Sequence, residues 1–117
     1  MDVGKHIAYL APIYLALTCS AHADDPARQA RQIALQDAWS TCLKTFAKRA
    51  ATKTNEDATI ISRGAFAACQ AKEDILYKFY IQGMPKAWSD FVRTDFFPTV
   101  KKHEEDSVIQ TVLEARS

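Results

Sequence analysis

From Ala27 to about Ala51 the chain has neither Gly nor Pro, and Leu35, Trp39, Cys42 and Phe46 follow one another at intervals of four, three and four. That spacing predicts an α-helix with these residues on one stripe. Leu43, Ala47 and Ala50 widen the stripe, while Gln32, Gln36, Lys44, Lys48 and Arg49 mark the opposite, polar face. Ala is the commonest residue of the run, which favours helix. Asp24-Asp25-Pro26 suits a helix start, and the late cations Lys48, Arg49 and Lys53 suit its end.

The polar turn Lys53-Thr54-Asn55 separates this helix from a second one, with Thr54 or Asn55 as its cap and Glu56 and Asp57 in its first turn. Ile61, Ala65, Ala68 and Cys69 give the second helix an apolar face. Ile75, Leu76, Phe79 and Tyr80 continue it after the charged interval Lys72-Glu73-Asp74. Gly64, inside this run, costs about 1 kcal/mol relative to Ala and reads as a point where two helices approach closely. Gly83-Met84-Pro85 ends the helix.

Lys86 to Thr94 is a third helical segment, with Trp88, Phe91 and Val92 at helical spacing. Pro98 must end it, kink it or start another helix, because proline lacks the amide hydrogen of an interior turn. The last run, Thr99 to about Ala115, is more polar, with Val108, Ile109, Val112 and Leu113 as a narrow seam, and is expected to dock with frayed ends. No strand signal, repeat or linker interrupts the pattern. The expectation is an all-α fold: an antiparallel helical hairpin with one or two C-terminal helices packed on it.

The N-terminus reads differently. Lys5, the apolar run Ile7 to Leu17 and the small-x-small site Ala21-His22-Ala23 have the layout of a cleavable export signal over residues 1–23, leaving 24–117 as a single helical domain. The apolar run of 11 residues is shorter than the about 20 a membrane span needs, which disfavours an uncleaved anchor. Ala16-Leu17-Thr18 lacks the small residue expected before a lipidated Cys19. Cleavage after Ala23 leaves two cysteines, Cys42 and Cys69, in an oxidising compartment, periplasmic or secreted. Their midpoint falls at the Lys53-Thr54-Asn55 turn, so an antiparallel hairpin brings them to one height. A disulfide is expected there, with two buried free thiols as the alternative.

Beyond Ala23 the chain carries 14 Lys and Arg against 13 Asp and Glu, without the cation excess that nucleic-acid binding uses. One histidine, His103, remains there; His103-Glu104-Glu105 lacks the second histidine of a metalloprotease helix and reads as a solvated turn. The cysteines are spaced 27 apart, unlike a redox C-x-x-C motif, and no nucleophile turn or phosphate loop is present. No catalytic residue, metal ligand or cofactor is therefore assigned.

The unusual feature is aromatic density. Seven of the twelve aromatics lie between Tyr77 and Phe97. They fill the corner where the third segment folds onto the hairpin, or else some of them stay exposed as an interaction patch; the candidates are Tyr77, Tyr80, Trp88, Phe91, Phe96 and Phe97. Lys78, Lys86 and Arg93 nearby suit an anionic partner or lipid headgroup.

Ala38-Trp39-Ser40-Thr41-Cys42 followed by Gly64-Ala65-Phe66-Ala67-Ala68-Cys69 resembles a loose group of small, uncharacterised proteobacterial exported proteins with a two-cysteine helical hairpin. The likeness spans about Leu35 to Leu76; it implies an envelope location and a helical fold, and carries over no active-site residue. The functional expectation is a non-enzymatic exported protein that binds another envelope component. The alternatives are a peripheral membrane-surface module using residues 77–97, and a small hydrolase relying on His103.

Overall fold

The computed structural model describes residues 25–117, so the expected export signal over residues 1–23 lies outside the described residues. These residues belong to two compact units, one ending at Arg31 and one formed by Gln32–Ser117. Among them the secondary structure is entirely helical: α1 (Pro26–Lys53), α2 (Ala58–Ala68), α3 (Gln70–Ile81), α4 (Lys86–Phe91), a π-helical turn (Val92–Phe96) and α5 (Phe97–Arg116). At the start of α1, Asp25 Oδ1 accepts a hydrogen bond from the Ala27 amide and Pro26 takes the first helical position, where a missing N–H costs nothing.

The hairpin and its staple are as the spacing predicts. Cys42 and Cys69 form a disulfide with their Cα atoms 6.0 Å apart. Gly64 marks the close approach, because a Cβ there would stand 3.2 Å from the ring of Phe46 on α1. Three details differ. First, α1 runs on to Lys53, and Asp57, not Thr54 or Asn55, caps α2 by accepting from the Thr59 amide. Second, the deepest line of α1 is Trp39, Leu43, Ala47 and Ala51, with Leu35, Cys42, Phe46 and Ala50 half-buried beside it. An i, i+4 row is a natural ridge for helix packing.

Third, the second helix is not continuous. It breaks at Cys69, which closes α2 and opens α3 with φ −104° and ψ 17°. The core line nevertheless passes through the break as Ile61, Ala65, Cys69, Glu73, Leu76 and Tyr80, all buried. Glu73 thus occupies a core position instead of a solvated charged interval, its carboxylate held 3.0 Å from Lys101 Nζ of α5. Ile75, expected on the apolar face, is half exposed because it lies off that line.

Of the three outcomes open to Pro98, the structure takes the last: it stands in the first turn of the helix that starts at Phe97, where its missing N–H costs nothing. The turn before it widens, and the Phe97 amide reaches back five residues to the Val92 carbonyl. The widened turn lies just where the proline ring would otherwise meet a carbonyl one turn earlier. α5 then packs on α2, burying Phe97, Val108, Thr111 and Val112. Thr111 takes the place expected of a neighbour such as Leu113, which is exposed, and satisfies its hydroxyl on the Ser107 carbonyl. The C-terminus is tied, not frayed: Arg116 donates from Nε to the Ala51 carbonyl and from Nη2 to the Thr54 carbonyl, filling orphan acceptors at the end of α1.

Candidate functional site

Two surfaces have more chemistry than packing requires, and both grow from the end of α3. Gly83 ends that helix with φ +73°, a conformation that costs an L-residue roughly 1–2 kcal/mol. The turn sends α4 back across α3, where the Trp88 indole donates from Nε1 to the Tyr80 carbonyl at 2.9 Å. That carbonyl is among the last of α3 and has no partner within the helix, so Trp88 acts as its cap and is held in one orientation.

The candidate aromatics divide by depth. Tyr80 and Phe97 are core residues, 6 % and 5 % exposed, and are therefore corrected out of any surface patch. Tyr77 and Phe96 are half-buried. Trp88 and Phe91 remain 40 % and 43 % exposed, and Met84, four positions before Trp88 in the Gly83-Met84-Pro85 helix stop, is 36 % exposed. The rings form a series from surface to core: Trp88 to Phe91 at 5.6 Å, Phe91 to Phe96 at 6.3 Å, Phe96 to Tyr80 at 5.1 Å and Tyr80 to Phe97 at 6.2 Å. Phe97 stacks on Trp39 at 5.8 Å. The outer rings thus rest on inner ones packed into the core, which supports the shelf from below.

One carboxylate partly offsets the cations beside the shelf. Asp90 accepts from Lys86 Nζ at 2.7 Å and from Arg93 Nη2 at 3.1 Å. Of the three cations expected to attract an anionic surface, Lys78 alone has no ion-pair partner among the described residues.

The second surface is a groove of about 330 Å³ between α1, α3 and α5, lined by Gln32, Gln36, Tyr80, Phe96, Thr99, Val100, His103 and Glu104. A hydrogen-bonded series crosses it. Gln32 Nε2 donates to the Tyr80 hydroxyl at 3.2 Å, the hydroxyl donates to Gln36 Oε1 at 3.4 Å, and Gln36 Nε2 donates to Glu104 Oε2 at 3.2 Å. Glu104 Oε1 is shut off from solvent and has no partner. Leaving a buried acceptor unmade costs about 1–3 kcal/mol, more when it is charged. Burial pushes the Tyr80 phenol above its ordinary pKa, and the bond from Gln32 draws it part of the way back. Glu104 therefore differs from the solvated charge the sequence suggested. Gln32 and Gln36 were legible only as a polar face, and no local signal showed that α3 and α5 would cover it.

His103 is exposed on the rim of this groove, beside Thr99 and Glu104, and makes no hydrogen bond among the described residues. The disulfide lines a different, more open groove, whose walls are Ala34, Ala38, Phe46 and Ala68 together with Thr41, Thr45 and the charged Asp37, Arg49 and Lys72. Among the described residues, no group of three or more His, Cys, Asp or Glu is placed to hold a metal ion, and no helix is long and apolar enough to cross a membrane.

Comparison with models of protein families, with curated proteins and with solved structures gives no match to this chain.

Proposed function

We propose that this chain is a non-enzymatic exported protein, periplasmic or secreted after cleavage following Ala23, which binds another envelope protein through the Met84–Trp88–Phe91 shelf. The observation that carries this reading is the fixed exposure of Trp88: its ring is open to solvent while its N–H is bound to the Tyr80 carbonyl. Aromatic anchors that are already oriented lose little freedom on docking, and Trp is among the residues most enriched at energetic centres of interfaces. The Cys42–Cys69 disulfide suits an oxidising compartment, in keeping with the resemblance to exported two-cysteine hairpins. Asp90 pairs with both Lys86 and Arg93 and offsets one of their two charges, while an aromatic anchor that is already oriented suits a packed protein interface.

The test is site-specific photo-crosslinking in the native host, with the photoreactive side chain at Phe91 or, as a control, at the exposed Ile60. A discrete adduct from position 91 that disappears with Trp88→Ser supports the reading. Equal adducts from both positions, or adducts only to lipid, overturn it. A second reading, a small hydrolase, draws on the position of His103 beside Thr99 and Glu104; ester hydrolysis lost on His103→Ala would establish it in place of the first.

A further inference from the structure

The groove between α1, α3 and α5 holds a feature that the shelf does not use, an ionisable carboxylate with half of its hydrogen-bonding capacity idle. Glu104 Oε2 is engaged by Gln36, while Oε1 is enclosed and unpaired. The other lining side chains are Gln32, Gln36, Tyr80, Phe96, Thr99, Val100 and His103, so no Lys or Arg shares the groove with it. Lys101, three residues earlier on the same helix, is turned away onto Glu73 and lies 5.7 Å from the centre of the Phe66 ring. Asp106 and Glu105 both engage Lys102, which leaves that cation committed elsewhere as well.

The remaining surroundings suit a cation of a particular kind. Phe96 and Tyr80 meet edge to face with centroids 5.1 Å apart, and an aromatic face attracts a positive charge placed over it. The glutamines are already committed: Gln32 to Tyr80, and Gln36 to both Tyr80 and Glu104. Gln36 engages Oε2 and leaves Oε1 unsatisfied. Rotation about the last side-chain bond of a Glu is soft, so the free oxygen can turn to a donor entering the groove. A volume of about 330 Å³ lies at the small end of ligand sites.

We propose that this groove binds a small primary amine in its ammonium form, with an N–H donating to Glu104 and the adjoining methylenes lying against Phe96 and Val100. The ammonium supplies both the charge that the carboxylate lacks and the donor that Oε1 lacks. A quaternary ammonium supplies the charge alone, so the site discriminates between the two. The groove is distinct from the shelf, and the proposal does not depend on what docks there.

The experiment is a titration of the isotopically labelled protein, expressed from its own first residue, with 1,4-diaminobutane and separately with tetramethylammonium, followed by NMR at neutral pH and low salt. The expected result is saturable shifts of the Gln32 and Gln36 side-chain amides and the Glu104 backbone amide with the diamine, and at least tenfold weaker binding of tetramethylammonium. Glu104→Gln, which keeps an acceptor for Gln36, weakens diamine binding at least tenfold; Phe96→Leu weakens it several-fold; Ile60→Ser, at an exposed residue outside both surfaces, leaves it unchanged. Absence of saturable shifts at the groove, equal binding of the two cations, or undiminished binding by Glu104→Gln in a variant whose spectrum remains folded would each overturn the proposal.

Discussion

The two tryptophans of this chain solve opposite problems. Trp39 is fully enclosed, edge-on to Phe66 and stacked on Phe97, yet its indole N–H has no partner. Trp88 is 40 % exposed, yet its N–H is bound to the Tyr80 carbonyl. At the hairpin the ring is wanted for its apolar bulk, and the unmet donor is outweighed by contact area. At the corner the ring contributes less burial, and the hydrogen bond sets where it points. The core therefore uses an aromatic for volume, and the corner uses one for orientation.

The largest expected effect breaks the hairpin side. Trp39→Ala should cost about 3–5 kcal/mol in urea unfolding, whereas Trp39→Phe, which retains a ring and removes the unpaired N–H, should cost less than half as much. Equal losses would mean that the indole donor is satisfied in solution. Next comes the staple. Replacing Cys42 and Cys69 together with Ser should cost about 3–4 kcal/mol, through the greater freedom of the unfolded chain. The folded variant should keep the same Trp88 accessibility, because the bridge joins α1 to the α2–α3 break and leaves the corner untouched.

A smaller loss, about 1–2 kcal/mol for one hydrogen bond and a half-exposed ring, is expected for Trp88→Ala. In the Trp39→Phe background, iodide should quench the remaining Trp88 fluorescence readily, and in Trp88→Phe it should barely reach Trp39. Comparable quenching of both would erase the distinction between the two rings.

The finest effect is one of pH. Tyr80 links the regions, its ring in the core and its hydroxyl in the groove, and burial raises its pKa above the ordinary 10.0. The neutral phenol is the form that folding favours. Its contribution is therefore fully present below about pH 10 and is lost as the pH rises from there through the folded-state pKa. Tyr80→Phe should be less stable at neutral pH, having lost the bonds to Gln32 and Gln36, and should show a shallower decline under alkaline conditions.

Much of the helical framework could be read directly. The 3.6-residue recurrence from Leu35 to Phe46, the turn at Lys53-Thr54-Asn55 and the stop at Gly83-Met84-Pro85 are local signals, set by backbone preference and by which side chains avoid water. The pairing of Cys42 with Cys69 also followed, because two cysteines equidistant from one turn must meet in an antiparallel hairpin. Only tertiary packing placed Glu73 on the core line, since its burial depends on Lys101 arriving from α5. Long-range contact likewise decided which aromatics remain exposed. Tyr80 and Phe97 vanish beneath neighbours while Trp88 and Phe91, in the same dense stretch, stay open. The polar groove is the clearest case, for Gln32, Gln36, Tyr80 and Glu104 come from three helices and are up to 72 positions apart in the chain. Periodicity tells each helix which face is polar. It carries no information about which polar face another helix will cover, because that is settled by the packing of the whole chain.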